Sequence, residues 1–559
     1  MIAKVIDRLG EWNPQLFREL KGKLNTRNIV IATAISFFGQ LLIYLFHRAQ
    51  LPNSDLNYAS NSTYCANRTN NYECLRDSFG NWIINWDRWW LDVFIFTSII
   101  GILVLLVVGT YMLIADLANE ERHGTLDFIR LSPQSFRSIL IGKILGVPIL
   151  LYWVSFLAIP LHLGAGKAAH LPLSLILGFY LVLVFSCIFF YSFALLYGFI
   201  SSGLGSFQAW LGSGFLLISL FLMMGITWHH SSPHYTPADW LKFFYPGTML
   251  AYLVDASPLA IDKINYLYPE ALTKITWYDL PLWSNVWFGI GIILANYAFW
   301  TYWFWQGLAR RFYDRSGTIV SKSNSYWISS SLIVMLLGFV LQRSQAYDIF
   351  NNFGILSCFY VAIFLILIAA LSPHRQTLQD WARYRHQMKT GVERKSLWHD
   401  LVWGEKSPST VAIAINLAMT TIVLLSGILL LPLAEYKIRL ILGLFLQASI
   451  ILIYAAIAQI ILLMKGNKRG IWASSTVSAM VILPMVVFSL LQMAPDRVPN
   501  VWLFSALPLL GTERAMVNVI LLSGLAQWLA IAFTGLRLGQ KLNYCGRSAT
   551  QALLSRKDE

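Results

Sequence analysis

The residues best equipped to engage a partner lie between Asp116 and Lys143, in the stretch DLANEERHGTLDFIRLSPQSFRSILIGK. Glu120, Glu121 and Asp127 come early and Arg130, Arg137 and Lys143 late, an order that suits the dipole of one helix or of two short ones. Leu126, Phe128, Ile129 and Leu131 supply an apolar side, and Gly124-Thr125 predicts a tight kink. Pro133 disfavours a helical Ser132, which ends a first helix there. Ser132 suits equally the cap of a second helix with Pro133 at its first position. The stretch reads as a docking helix on a membrane surface, with a solvated loop as the alternative.

Three other groupings could do chemistry. Asp87 and Asp92, with Arg88 between them, stand where a polar loop meets an apolar run. Polytopic glycosyltransferases use acids at such a place to engage a sugar donor, but an acid pair flanked by Trp86, Trp89 and Trp90 is also an ordinary interfacial edge. His230 and His234 are four apart, a spacing for metal ligation together with His229 and Asp239. Pro233 interrupts that helix geometry, so a polar interfacial loop is the better reading and no metal is expected. Gly164-Ala165-Gly166-Lys167-Ala168 lacks the spacing and the Ser/Thr of a phosphate loop and is predicted to be a flexible outside turn. The chain is therefore expected to carry no motor and no cofactor of its own, and any ATP-driven function to come through a partner.

The elements that must position these residues are membrane spans. Hydrophobic residues make up 57% of the 559, and charged residues only 13%, about half their share in soluble domains. Apolar runs of roughly 18 residues or more, each able to cross a hydrocarbon core as a helix, recur near 29–46, 91–114, 141–163, 172–200, 209–228, 284–306, 326–342, 352–371, 411–431, 438–464, 472–492 and 515–538, about twelve in all. A β-barrel would alternate polar and apolar residues in shorter segments. The expected fold is an all-α polytopic membrane protein.

Charge orients it. Lys4, Arg8, Arg18, Lys21, Lys23 and Arg27 precede the first span and place that end in the cytoplasm under the positive-inside rule. The basic segments 307–325, 372–410 and 465–471 and the tail fall on the same side, so both termini are expected to be cytoplasmic. The formal charge of +14 is then mostly topological, and nucleic acid, which needs cations gathered with stacking aromatics, is not an expected partner. Gln40, Gln447 and Gln459 are the notable polar residues within spans; helix packing accounts for them, and a proton-driven carrier is disfavoured.

Cys65 and Cys74 fall in the outside loop 47–88, where a disulfide can persist. Cys187 and Cys358 read as buried small apolar residues and Cys545 as a reduced thiol. Asn61-Ser62-Thr63 and Asn67-Arg68-Thr69 match the glycosylation pattern, without an expectation of sugar. The first residues lack the apolar core of a cleavable signal, so the first span is expected to be retained. Four regions follow: an amphipathic segment 1–28, a six-helix domain 29–315 carrying the charged stretch 116–143, a second six-helix domain 316–538, and a tail 539–559. The second domain is either a diverged repeat or a concatenated bundle. Ser396 to Pro408 is a surface-lying candidate before span nine, as Asn13 to Asn28 is before span one.

The string Glu120-Glu121-Arg122-His123-Gly124-Thr125-Leu126-Asp127, followed by Leu131-Ser132-Pro133 and Gly142-Lys143, resembles the E-x-x-x-G-T-L-E…L-x-S/T-P…G-K motif of ABC-2 type transporter permeases, with Asp127 where Glu is commoner. Asn13-Pro14-Gln15-Leu16-Phe17-Arg18-Glu19-Leu20 resembles the start of the elbow helix in that family. The resemblance covers about residues 10–315. It implies a permease subunit in the plasma membrane that forms an export path or handles a lipid-linked substrate. It also implies coupling to separate ABC-type ATP-binding subunits, association with membrane lipid, and pairing with a second copy or another permease chain. By position, Glu120, Glu121, Arg122, Gly124, Thr125, Leu126, Ser132 and Pro133 would form the coupling segment, and Asn13, Pro14, Arg18 and Glu19 the elbow.

Overall fold

The computed structural model describes residues 10–52, 64–65, 77–228, 236–255, 275–341, 346–388, 397–431, 436–466 and 468–546. Among them are eleven helices long and apolar enough to cross a membrane. The chain is an all-α polytopic membrane protein. A further 28-residue helix, Val286–Tyr313, stands where span 284–306 was expected, but its Trp, Tyr, Asn and Arg content keeps it outside the apolar set. The described residues divide into two compact units, passing from the first to the second between Tyr313 and Asp314; the second unit also takes in residues 236–238 and 276–280.

In the first unit, α1 (Pro14–Lys23) begins because Asn13 caps it, its Oδ1 accepting from the Leu16 amide at 3.0 Å, with Pro14 in the first turn. α2 (Thr26–Ala49) packs along α6 (Ile149–Ala168). Ser36 donates to the Val154 carbonyl at 2.9 Å and Gln40 to that of Leu157 at 3.3 Å, so Gln40 serves helix packing. α3 (Trp86–Arg122) is continuous through the acidic residues, which places Asp116, Glu120 and Glu121 on the spanning helix itself rather than in a separate insert. It is interrupted by a π-turn at Val104–Val108, where the Tyr191 hydroxyl donates to the Leu105 carbonyl at 2.7 Å. Gly109 makes room for that hydroxyl, because a Cβ there would fall 2.2 Å from it.

Gly124, at φ 70°, turns the chain into α4 (Thr125–Arg130). The next helix, α5 (Phe136–Gly146), is capped by Ser135, which accepts from the Ser138 amide at 3.2 Å. Ser132 is therefore not the cap; its hydroxyl closes the preceding turn on the Ile129 carbonyl at 2.7 Å. Val147-Pro148 separates α5 from α6, so the expected span 141–163 is two helices. Residues 164–168 are the last turns of α6, not a flexible turn. Gly166 is there because a Cβ would fall 2.7 Å from Ile176 Cδ1. α7 (Leu173–Ile200), α8 (Phe207–Trp228), α9 (Thr248–Asp255) and α10 (Val286–Tyr313) complete the unit, with α7 packed on α3 and α10 and α8 packed on α3.

The second unit contains α11 (Lys322–Val340), α12 (Ala346–Leu371), the polar α13 (Arg375–Met388), the short α14 (Leu397–Trp403), α15 (Ser409–Leu430), α16 (Lys437–Leu462), α17 (Arg469–Leu490) and α18 (Val517–Gly546). α16 packs on α15, α17 and α18. Gln447 accepts from Ser357 at 2.7 Å and donates to the Ala506 carbonyl at 2.8 Å, and Gln459 accepts from Ser409 at 2.7 Å, so both glutamines join helices. α13 lies against α18 through Leu378 and Leu538, with Leu463 in the same cluster.

Candidate functional site

The sequence-predicted elbow and coupling residues come together around one ammonium group. Asp116 and Glu120 are four apart on α3, and Glu19 and Lys23 four apart on α1, so each pair shares a helix face. Lys143, from α5, is fully buried between them. Its Nζ lies 2.6 Å from Asp116 Oδ2, 2.6 Å from Glu120 Oε2 and 3.9 Å from Glu19 Oε1. Lys23 pairs with Glu19 at 3.0 Å and donates to the Val147 carbonyl at 3.2 Å, and Arg18 pairs with Glu120 at 2.9 Å. Gln15 donates to Glu19 at 2.9 Å. Burial disfavours the charge on Lys143, but Asp116 and Glu120 outweigh it, and its pKa lies above the ordinary lysine value. Glu19, Asp116 and Glu120 offer oxygens close enough together to ligate a cation; Lys143 Nζ is within ion-pair reach of all three.

Close approach makes this latch feasible. A Cβ on Gly142 would fall 2.8 Å from Asn13 Oδ1, and one on Gly146 2.5 Å from Glu19 Cβ. The two glycines, four apart, form a bare stripe on α5 against which α1 lies. Asn13 adds a bond from its Nδ2 to the Ser138 carbonyl at 2.8 Å. Sequence reasoning named Lys143 for the charge order and as the end of a motif, Asp116 as the start of the charged stretch and Lys23 as a topological cation; it gave none of them an ion-pair role, and it did not name Gly146. The i, i+4 spacings of the acids and of the glycines were the readable signals.

The latch changes the assignment of the coupling residues. Glu120 and Leu126, read as contact residues, are buried, and Glu120 is an internal ion-pair partner. Thr125 donates to the Glu120 carbonyl at 3.1 Å and fixes the turn. Arg122, Gly124, Thr125 and Pro133 are exposed, while Glu121 and Ser132 are half-buried. The most prominent exposed side chains in this region are Phe128 at 80% and Leu131 at 85%, on and just after α4. Arg130 stays beneath them, paired with Asp127 at 3.0 Å and lying over the Phe199 and Phe312 rings.

The remaining candidates are dispersed. Asp87 and Asp92 are five apart on α3, about 140° around the helix, so they do not share a face. Asp87 lies 3.7 Å from His170 Nε2, and Asp92 hydrogen-bonds Tyr64. Burial, with Asp92 as a second cause, raises the Tyr64 pKa. Asp239 pairs with Lys242 at 2.7 Å; His229, His230 and His234 lie outside the described residues. Cys65 is disulfide-bonded, and Cys187, Cys358 and Cys545 are free. Cys74 lies outside the described residues, as do both sequons. The sequence reading also missed a hydrogen-bonded chain from Ser98 through His162 to Tyr180, with 2.7 Å at each step, that ties α3, α6 and α7 together.

The chain matches no protein-family model, no curated protein and no solved structure.

Proposed function

We propose that this chain is a permease subunit of an ABC transporter of the ABC-2 type, set in a plasma membrane with both termini in the cytoplasm. It is driven by separate ATP-binding subunits and exports its substrate. The observation that carries this reading is the pairing of a rigid charged latch with an exposed apolar tip. The latch joins α1, α3 and α5 through Lys143, while Phe128 and Leu131 stand clear of it. A large aromatic and an aliphatic side chain presented together are the kind of anchor that seats in a pocket of another protein.

Force applied at that tip passes to α3 through the short α4 and the Thr125–Glu120 bond. It reaches the span across the π-turn at Val104–Val108, a local irregularity of the kind that lets a helix bend. The ATPase moves the path only if its nucleotide states interact differently with the tip. The glycosyltransferase-like alternative needs Asp87 and Asp92 to act jointly, and their placement around α3 disfavours it.

The test is affinity purification of the detergent-solubilised chain from its own membranes. An ATP-binding subunit is expected to copurify with wild type and to be lost from a Phe128→Asp/Leu131→Asp double variant, since removing an interface anchor costs about 2 kcal/mol or more. Both residues are exposed, so the variant keeps the fold. Equal recovery of the same ATPase with both forms, or none with wild type, overturns the proposal.

A further inference from the structure

A cavity of about 510 Å³ opens in the second unit where the end of α12 and the start of α13 face α16 and α17. Its volume lies within the range of about 300–1,000 Å³ typical of small-molecule sites. One end is lined by His374, Arg375 and Arg469 and the body by Ile368, Leu462 and Val477; no carboxylate is among its lining residues. Arg375 is held by its Nε, which donates to the Leu463 carbonyl at 3.2 Å. Arg469 Nη2 lies 3.2 Å from His374 Nδ1, so two basic side chains are already drawn together at the polar end.

The surroundings are those of a lipid-facing edge. α17 has only 11% of its apolar window buried and packs chiefly on α16. Beside the basic end, Trp472 is 66% exposed and Ile471 64%, and an exposed Trp at the end of a span sits at the level of lipid headgroups. A molecule fitting this cavity must carry a negative group at one end and hydrocarbon at the other. Basic pockets between spans take lipid phosphates for this reason, and arginine forks match phosphate oxygens in pairs.

We propose that this cavity binds an anionic phospholipid, its phosphate on Arg375 and Arg469 beside His374 and its upper acyl chains along Ile368, Leu462 and Val477. The site is independent of the ATPase contact argued above. It gives the second unit a ligand of its own.

The full chain, purified in non-ionic detergent, is titrated with phosphatidylglycerol, with phosphatidylcholine of the same acyl chains, and with inorganic phosphate, and native mass spectrometry counts the retained adducts. Wild type is expected to retain phosphatidylglycerol about tenfold better than phosphatidylcholine. Arg375→Gln/Arg469→Gln should abolish that preference, a loss in line with removing charge-assisted pairs. Ser474→Trp, which adds bulk at an exposed lining residue and leaves both arginines in place, should weaken retention of phosphatidylglycerol to a similar degree. Equal retention of the two lipids by wild type, unchanged retention in both variants, or displacement of bound lipid by millimolar inorganic phosphate overturns the proposal.

Discussion

Lys143 in the first unit and Lys322 in the second are both buried where a short helix meets a long one, and they are held by different chemistry. Lys143 is ringed by carboxylates, with Asp116 and Glu120 each at 2.6 Å and Glu19 at 3.9 Å. Lys322 donates to the Leu401 carbonyl at 2.7 Å, the Ser407 hydroxyl at 2.6 Å and the Pro408 carbonyl at 3.2 Å, while the nearby carboxylate of Asp400 is bonded to Arg385. The first is an ion-pair network across three helices. The second is a hydrogen-bonded clamp that folds residues 397–408 onto the start of α11, helped by Tyr326 donating to the Val402 carbonyl at 2.7 Å. The difference shows that one residue type can fasten a surface helix either by charge or by filling a carbonyl-lined socket, and the two fastenings fail differently.

The widest separation is expected from removing each lysine. Lys143→Met leaves the buried Glu19 and Glu120 and the half-buried Asp116 without their central cation, a change of the class that costs about 3–5 kcal/mol. Lys322→Met leaves neutral oxygens unpaired, for which about 1–3 kcal/mol is typical. Denaturant unfolding of the purified chain, followed by a fluorophore placed on each unit, should show the first unit losing more in its variant than the second does in its own. Equal losses would break the comparison and deny the ion-pair network any advantage over the hydrogen-bonded clamp.

This contrast was only half legible in the sequence. Asn13-Pro14 was noticed through the resemblance to an elbow helix, and the structure shows the physical reason, an Asn cap before Pro in the first turn; the charge-rich stretch after span two drew attention to the region that holds the latch, because charge order is a local signal. The run of apolar residues gave the helical membrane fold for the same reason. The course of α3 was not legible: charge at Asp116 was read as the end of the span, yet helix propensity carries it to Arg122 and the latch supplies the counter-charges. Glu120 looked like a surface contact because its partner Lys143 is distant in sequence and meets it only through tertiary packing. Lys322 gave no sign at all, since its acceptors are two backbone carbonyls and a hydroxyl some 80 residues away, |i−j| of 79 to 86.

A smaller effect sharpens the packing side of the contrast. Gly146→Leu pushes a side chain into the place of Glu19 Cβ, where even a Cβ would stand at 2.5 Å. Overpacking of this kind costs about 1–3 kcal/mol, and here α1 can relieve it by lifting away from α5. The expected outcome is a latch that opens while the spans stay folded, read as new proteolytic cleavage near Lys21 or Lys23 with little change in global unfolding. Gly164→Leu, on α6 with nothing within 4 Å of its Cβ, is the matched control. Cleavage equal in the two variants would deny the glycine stripe its role.

The smallest effect is the response to alkali. Because the folded-state pKa of Lys143 is raised, its contribution to stability is fully present below the unfolded lysine value of about 10.4. It is then lost as pH rises through the folded value. Thermal unfolding of the first unit should therefore be flat from pH 8 to about 10 and fall above that, and the fall should be absent in Lys143→Met, which has no ammonium to lose. High salt should blunt the contribution of Arg18, whose side chain is 51% exposed, while leaving the alkaline limb in place, because ion pairs around the buried Lys143 ammonium are screened far less than an exposed one. An alkaline limb of the same size in Lys143→Met would assign it to other lysines and remove the ammonium from the centre of the latch.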